Sequence, residues 1–244
     1  MSTAFRVVIP ARYASTRLPG KPLRKIHEKS MIEWVYQAAN NSEAKEVIVA
    51  TDDDRISKCV ERFGGNVCMT RPDHKTGTDR ILEVVEKNNW TDEEIVVNLQ
   101  GDEPLMPSSN LTQVADLLQR GDCDMATLHK PVDQEDARDT NLVKLVHDKN
   151  GRVLYFSRSV IPLNREGGRM QHFGHIGLYA YRVGFIKAFS QLDSCDLELT
   201  EQLEQLRALW HGHSIDTELA GEFPGPGVDT EKDLLEMEKL MSRL

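Results

Sequence analysis

The chain has 244 residues, enough for one large α/β domain or two small ones. Its 39 acidic against 30 basic side chains give a formal net charge of −9, which disfavours a broad nucleic-acid-binding face but leaves room for one compact basic pocket. Hydrophobic residues reach 39% without an apolar run of membrane-span length, and the N-terminal residues lack a basic stretch followed by an apolar one, so neither membrane insertion nor a secretory leader is expected.

Phe5–Pro10 (FRVVIP) is a short apolar run rich in β-branched residues, and Glu46–Thr51 (EVIVAT) and residues 94–99 (EIVVNL) repeat the pattern. Continuous apolar runs suit parallel strands covered on both faces. Helices fill the gaps. Ser30 and Glu33 form an S-x-x-E capping box ahead of Ile32, Val35 and Ala39 at helical spacing. A second helix is expected from Asp53 or Asp54 to a stop at Gly64-Gly65. A third runs from about Thr78 through Ile81, Leu82 and Val85, and a fourth from Ser108 or Ser109 through Leu111, Val114 and Leu118 to Gly121. This alternation predicts a doubly wound α/β sheet. In the second half, residues 142–146 and 152–157 flank Asp148-Lys149-Asn150-Gly151, a hairpin signal. A strand is expected at 175–181, and one helix presenting Leu199, Leu203, Leu206 and Trp210 as a stripe. A last helix, capped by Thr230 and Asp233, carries Leu234, Met237 and Met241. Residues 162–168 and 224–227 read as loops inside one domain.

Three loops carry candidate chemistry. The first follows the first strand and holds Arg12, Arg17 and Lys21 among small residues. Ligands of open α/β sheets bind at the carboxyl ends of strands, and three cations with backbone N–H groups suit a triphosphate. It matches neither the Walker A loop nor G-x-G-x-x-G. The second is Asn98-Leu99-Gln100-Gly101-Asp102-Glu103-Pro104, where Asp102 is a hard oxygen donor of the kind Mg²⁺ takes and Gln100 offers an amide. The third, Gly225-Pro226-Gly227-Val228-Asp229-Thr230, places a carboxylate just before a capped helix. Position alone makes Asp229 an ordinary pre-helical residue. Thr51-Asp52-Asp53-Asp54 imitates a D-x-D metal motif but reads better as a helix N-terminus. His211-Gly-His213 reads as a turn after a helix. The four cysteines form no C-x-x-C pair, so neither a zinc knuckle nor a disulfide framework is suggested, and scattered thiols fit a cytoplasmic protein.

The ordered set IPARYASTRLPGKPL, VCMTRPDHKTGTDRI, VNLQGDEP, YFSR, HIGLYAYR, EQLEQLRAL and PGPGVDT spans nearly the whole chain. It resembles the 3-deoxy-manno-octulosonate (Kdo) cytidylyltransferase family. The resemblance implies a mixed, mostly parallel Rossmann-like nucleotidyltransferase sheet in a single domain, residues 1–244. Its main body would span about 1–130 and 175–244, and a smaller sugar-binding and dimerisation subdomain about 131–174. It implies a homodimeric cytoplasmic enzyme of lipopolysaccharide synthesis. The anomeric hydroxyl of a Kdo-type sugar acid attacks the α-phosphate of CTP and releases pyrophosphate. Carried over by motif, Arg12 and Lys21 hold the triphosphate, Ala11, Thr76, Gly77, Arg80 and Gln100 complete the CTP site, and Asp102 and Asp229 bind Mg²⁺. Arg158, His175, Tyr179, Glu204 and Gln205, with Gln100, line the sugar pocket. Arg158 suits a sugar carboxylate because a guanidinium binds bidentately. One of Tyr179 and Tyr181 is expected in the core.

Thr76 stands where the family often has Ser, and residues 163–173 form a shorter stretch than common members carry. Both departures keep 8-amino-8-deoxy-Kdo as an alternative sugar, and the short stretch is a candidate lid. A glycosyltransferase using Asp52 to Asp54, and a non-catalytic nucleotide sensor, are the competing classes.

Overall fold

The computed structural model describes residues 3–15, 17–165 and 171–243. The loop expected at 162–168 and the candidate lid at 163–173 therefore fall partly outside the described residues. In chain order the elements are β1 (Phe5–Pro10), the short hairpin β2 (Lys25–Ile26) and β3 (Lys29–Ser30), α1 (Met31–Asn40), β4 (Glu46–Thr51), α2 (Asp54–Arg62), β5 (Asn66–Met69), α3 (Gly77–Lys87), β6 (Ile95–Asn98) and α4 (Ser108–Arg120). Then come β7 (Met125–Val132), β8 (Lys144–His147), β9 (Val153–Ser157), β10 (His172–Arg182), α5 (Val183–Phe189), α6 (Asp196–Glu201), α7 (Gln205–Trp210), β11 (Ile215–Leu219) and α8 (Glu231–Met241).

The main sheet runs β11-β7-β10-β6-β1-β4-β5, with β8 and β9 joined to it through β10. β6, β1, β4 and β5 are parallel neighbours, β11 runs parallel to β7, and β10 is antiparallel to both β6 and β7. The alternation along β1 shows why it must be apolar throughout. Phe5, Val7 and Ile9 enter one core with α1, α2 and α4, whereas Val8 enters a second with α3, α5 and α7. Helices thus cover both faces, as the sequence predicts.

A third, smaller core decides the geometry of the site. Leu18 from the loop after β1, Ile26, Met31, Val228, Leu234 and Met237 are buried together. They tie α8 and the loop before it to the loop after β1. The amide of Val228 donates to the carbonyl of Asp102 at 3.0 Å, which locks the third candidate loop onto the second.

Several expectations change. Ser30 precedes α1 but makes no side-chain cap, because its hydroxyl lies against Cys59 Sγ at 3.4 Å instead. α3 starts one residue earlier than expected, with Thr76 and Asp79 forming a reciprocal capping box. The single helix expected over 199–210 is two, because Gln202 adopts a left-handed conformation at φ 54° between α6 and α7. Leu203 and Leu206 are buried, but Leu199 and Trp210 are 58% and 59% exposed, so the stripe is not continuous. The hairpin β8–β9 forms as expected, with Gly151 at φ 87°. Tyr181 is the core member of its pair, 4% exposed, and Tyr179 is half-buried. No described helix is long and apolar enough to cross a membrane.

Candidate active site

A cavity of about 500 Å³ opens at the carboxyl ends of β1 and β6. Its wall includes Ala11, Arg12, Arg17 and Lys21 from the first loop, Gln100, Gly101 and Asp102 from the second, and Asp229 from the third. The β5–α3 segment closes it with His74, Thr76, Gly77 and Arg80. All seven residues expected around the nucleotide therefore face one space. Gly101 suits the close packing of these loops, since a Cβ there would stand 3.1 Å from the Pro10 carbonyl oxygen.

Lys21 is the hub. Its Nζ lies 2.6 Å from Asp102 Oδ2 and 2.9 Å from Asp229 Oδ1, and Arg17 reaches the same Asp229 oxygen at 3.0 Å. Burial works against the ammonium charge, but the two carboxylates outweigh it and hold Lys21 above the usual lysine range. Arg12 is exposed at the cavity wall and makes no ion pair among the described residues. Next to this cluster, burial and then the charge of Asp102 push Glu103 up to about 8. Its carboxyl lies under the third loop, 3.4 Å from where a Cβ on Gly227 would stand.

Arg80 is 3% exposed and divided between roles. It borders the cavity, donates to Thr70 Oγ1 and lies 3.4 Å from Asp52 Oδ1. Asp53 caps α2 by accepting from the Arg55 amide at 2.9 Å. The acidic triplet is thus a helix start and an arginine partner, as its N-terminal reading expects. His211 to His213 form the expected turn, with His211 Nε2 3.0 Å from the Asp193 carbonyl.

The residues expected around a sugar gather across β10 and the α6–α7 turn. The His175 ring lies 5.2 Å from Tyr179, and its Nε2 is 3.1 Å from Thr127 Oγ1. Burial, then His129, lowers His175 to about 3, so it is neutral at physiological pH. Burial, then Tyr181 and Glu204, raises Tyr179 well above the usual phenol range. Glu204 Oε2 accepts from Thr78 Oγ1 at 2.7 Å, so the residues expected around a sugar touch the helix whose N-terminus borders the main cavity. Burial raises Glu204, against the pull of the Thr78 and Thr76 hydroxyls, and its Oε1 has no hydrogen-bond partner among the described residues. Gln205 is buried at the start of α7. Arg158 behaves differently from a free sugar clamp. Its guanidinium donates to the carbonyls of Glu201 at 2.8 Å, Thr140 at 3.0 Å and Gln202 at 3.4 Å, which among the described residues engages three of its five N–H groups.

Sequence reasoning passed over His74, Glu83 and Glu103. His74 and Glu103 lie inside quoted motifs and Glu83 lies two residues beyond one, but only contacts across loops show that His74 borders the cavity, that Glu83 bonds it from behind and that Glu103 sits beside Asp102.

The fold and this cavity define a nucleotidyltransferase-like α/β protein with a cationic, carboxylate-flanked pocket. A family model described as "Cytidylyltransferase" matches residues 6–215. A 3-deoxy-manno-octulosonate cytidylyltransferase from Proteus mirabilis is 51% identical over 239 residues, covering 95% of this chain and 94% of the relative. One from Vibrio campbellii is 49% identical over 248 residues, covering 98% of each. A solved structure of CMP:2-keto-3-deoxy-manno-octonic acid synthetase complexed with CTP superposes with a TM-score of 0.92 at 41% identity, covering 99% of both chains. The chain belongs to the 3-deoxy-manno-octulosonate cytidylyltransferase family, also called the CMP-Kdo synthetases.

Proposed function

We propose that this chain transfers the cytidylyl group of CTP to Kdo, giving CMP-Kdo and pyrophosphate for lipopolysaccharide synthesis in the cytoplasm. The observation that carries this reading is the convergence of Lys21, Asp102 and Asp229 on the wall of a cavity shared with Arg12 and Gln100. The relatives' names specify Kdo, and we take Kdo rather than an 8-amino sugar as the acceptor. The CTP-bound relative supports the nucleotide.

In this reading Arg12 and Lys21 hold the triphosphate, and their charge opposes the negative charge that develops at transfer. Ala11, Thr76, Gly77, Arg80 and Gln100 position the nucleoside. Arg158 from the subdomain of about 131–174, His175 and Tyr179 on β10, and Glu204 and Gln205 at the α6–α7 turn position the sugar acid. The anomeric oxygen bonds to the α-phosphorus as the bond to the β-phosphate oxygen breaks, and pyrophosphate leaves. Among the described residues no cluster of three or more His, Cys, Asp or Glu side chains is arranged for a metal ion. Asp102 and Asp229 alone fit Mg²⁺, which typically takes one or two carboxylates and completes its shell with water and substrate phosphates. Asp102 and Asp229 would hold such an ion, which would supply charge neutralisation on the phosphates and lower the pKa of the attacking hydroxyl. Lys21, already bound by both carboxylates, screens their repulsion before substrate arrives. A homodimer belongs to the same proposal.

The test is pyrophosphate release with CTP, Kdo and Mg²⁺. Release that needs all three supports the reading. No release from the folded protein would reject it.

A further inference from the structure

His74 lies on the loop between β5 and α3, its side chain only 6% exposed, and it borders the main cavity beside Thr76, Gly77 and Arg80. Glu83, on α3, does not reach that cavity. It is 8% exposed and bonds His74 Nε2. It also accepts from the Arg71 amide at 2.9 Å and pairs with Lys87 Nζ at 2.8 Å. Burial opposes its charge, but these donors pull Glu83 down to about 2, so the carboxylate stays ionised across the working range.

A carboxylate on Nε2 fixes which nitrogen keeps its proton and leaves Nδ1 as the ring atom turned away from Glu83; in the neutral ring that atom is an acceptor. Nδ1 has no protein hydrogen-bond partner among the described residues, and it is not one of the buried orphan atoms. A bare acceptor repels phosphate oxygens and suits a hydroxyl or amino hydrogen. The nucleoside end of a nucleotide carries both.

We propose that His74 contacts the nucleoside part of the bound nucleotide through Nδ1, and that Glu83 is the positioning residue that sets its tautomer and ring orientation. The inference rests on the reading that this cavity binds CTP.

The experiment is calorimetric binding of CTP to the wild type, His74→Ala, His74→Asn, Glu83→Gln and the double variant His74→Ala/Glu83→Gln, with melting temperatures recorded for each. His74→Ala is expected to weaken CTP binding about tenfold, the order of one lost hydrogen bond in a partly dry site. His74→Asn keeps binding within about threefold, because its amide oxygen replaces Nδ1 as acceptor. Glu83→Gln weakens binding although it touches no ligand, and adds nothing to His74→Ala. The proposal is overturned if His74→Ala binds CTP as the wild type does, or if the two losses simply add. A purely structural role would lower the melting temperature of both His74 variants and leave their affinities alike. A wild type that binds no CTP would instead sink the functional reading itself.

Discussion

Lys21 separates charge-reading from shape-reading at the cavity. It stands between Asp102 and Asp229 with both contacts under 3 Å. Lys21→Met removes one cation from the cavity wall and leaves two carboxylates facing each other. Its kcat/KM should fall by about 10²–10³, the scale of losing a preorganised charge contact. Asp102→Asn keeps size and most hydrogen bonding but loses the anionic donor, so turnover should collapse while the melting temperature stays within a few degrees. Full turnover in that variant rejects Asp102 as a metal ligand. Lys21, Gln100 and Asp102 were legible in the sequence because each lies on a loop directly after an apolar strand or just beyond it. Asp229 was not legible from position alone: what brings it to Lys21 is the burial of Val228 and Leu18 in one core, a contact across some 200 residues. Arg158 shows the opposite limit. Its type suggested a free clamp, but three backbone carbonyls that no spacing rule reveals have claimed part of its fork.

Secondary elements were legible where the pattern had one meaning. β1, β4, β6 and α1 to α4 are such cases, since strands buried on both faces stay apolar and their helices carry a clear stripe. β7 and β11 were missed because their sequences mix signals. Thr127 and His129 are buried inside β7, and the edge strand β11 carries Asp216 and Glu218, which pair with Arg152 and Arg120. The Asn-Gly turn was read correctly, and the structure adds its cost. A Cβ on Gly151 would meet the Thr217 carbonyl oxygen at 2.6 Å, at φ 87°. Gly151→Ala should therefore destabilise by about 2–4 kcal/mol, left-handed strain plus a backbone clash, read as a lower urea midpoint. An unchanged midpoint would show that the hairpin can re-register. The β7–β10 pair makes a second element-scale prediction. His129 and His175 face each other across the ladder and sit at about 4 and 3, both below the ordinary 6.5, chiefly through burial. Folded, they bind fewer protons than unfolded, so stability is intact above about pH 6.5 and falls as pH drops toward the folded values. Each should cost roughly 2 kcal/mol by about pH 5. Equal urea midpoints at pH 7.5 and pH 5 would contradict this. His129→Gln should flatten the drop.

At the scale of the whole molecule the charge is unevenly placed. A chain of net charge −9 gathers Arg12, Arg17, Lys21 and Arg80 around one cavity. A small, highly charged ligand can profit from such a focus, while a long polyanion would meet the acidic remainder. That cavity is also where three separate loops and the start of α3 meet, so filling it joins the sheet to the loop before α8. A ligand that binds only the folded chain stabilises it by mass action, about 2.7 kcal/mol at a hundredfold excess over Kd. For a chain of this size that corresponds to a rise in melting temperature of about 5–10 °C. The rise should be largest with CTP and Mg²⁺ together and smaller with CTP in EDTA, because Asp102 and Asp229 then add uncompensated negative charge beside the phosphates. Lys21→Met should blunt the rise under both conditions, since its ammonium is the group that screens those carboxylates. A shift equal with Mg²⁺ and with EDTA would mean that the carboxylate pair takes no metal with the nucleotide. A shift that survives intact in Lys21→Met would move the triphosphate away from the loop after β1.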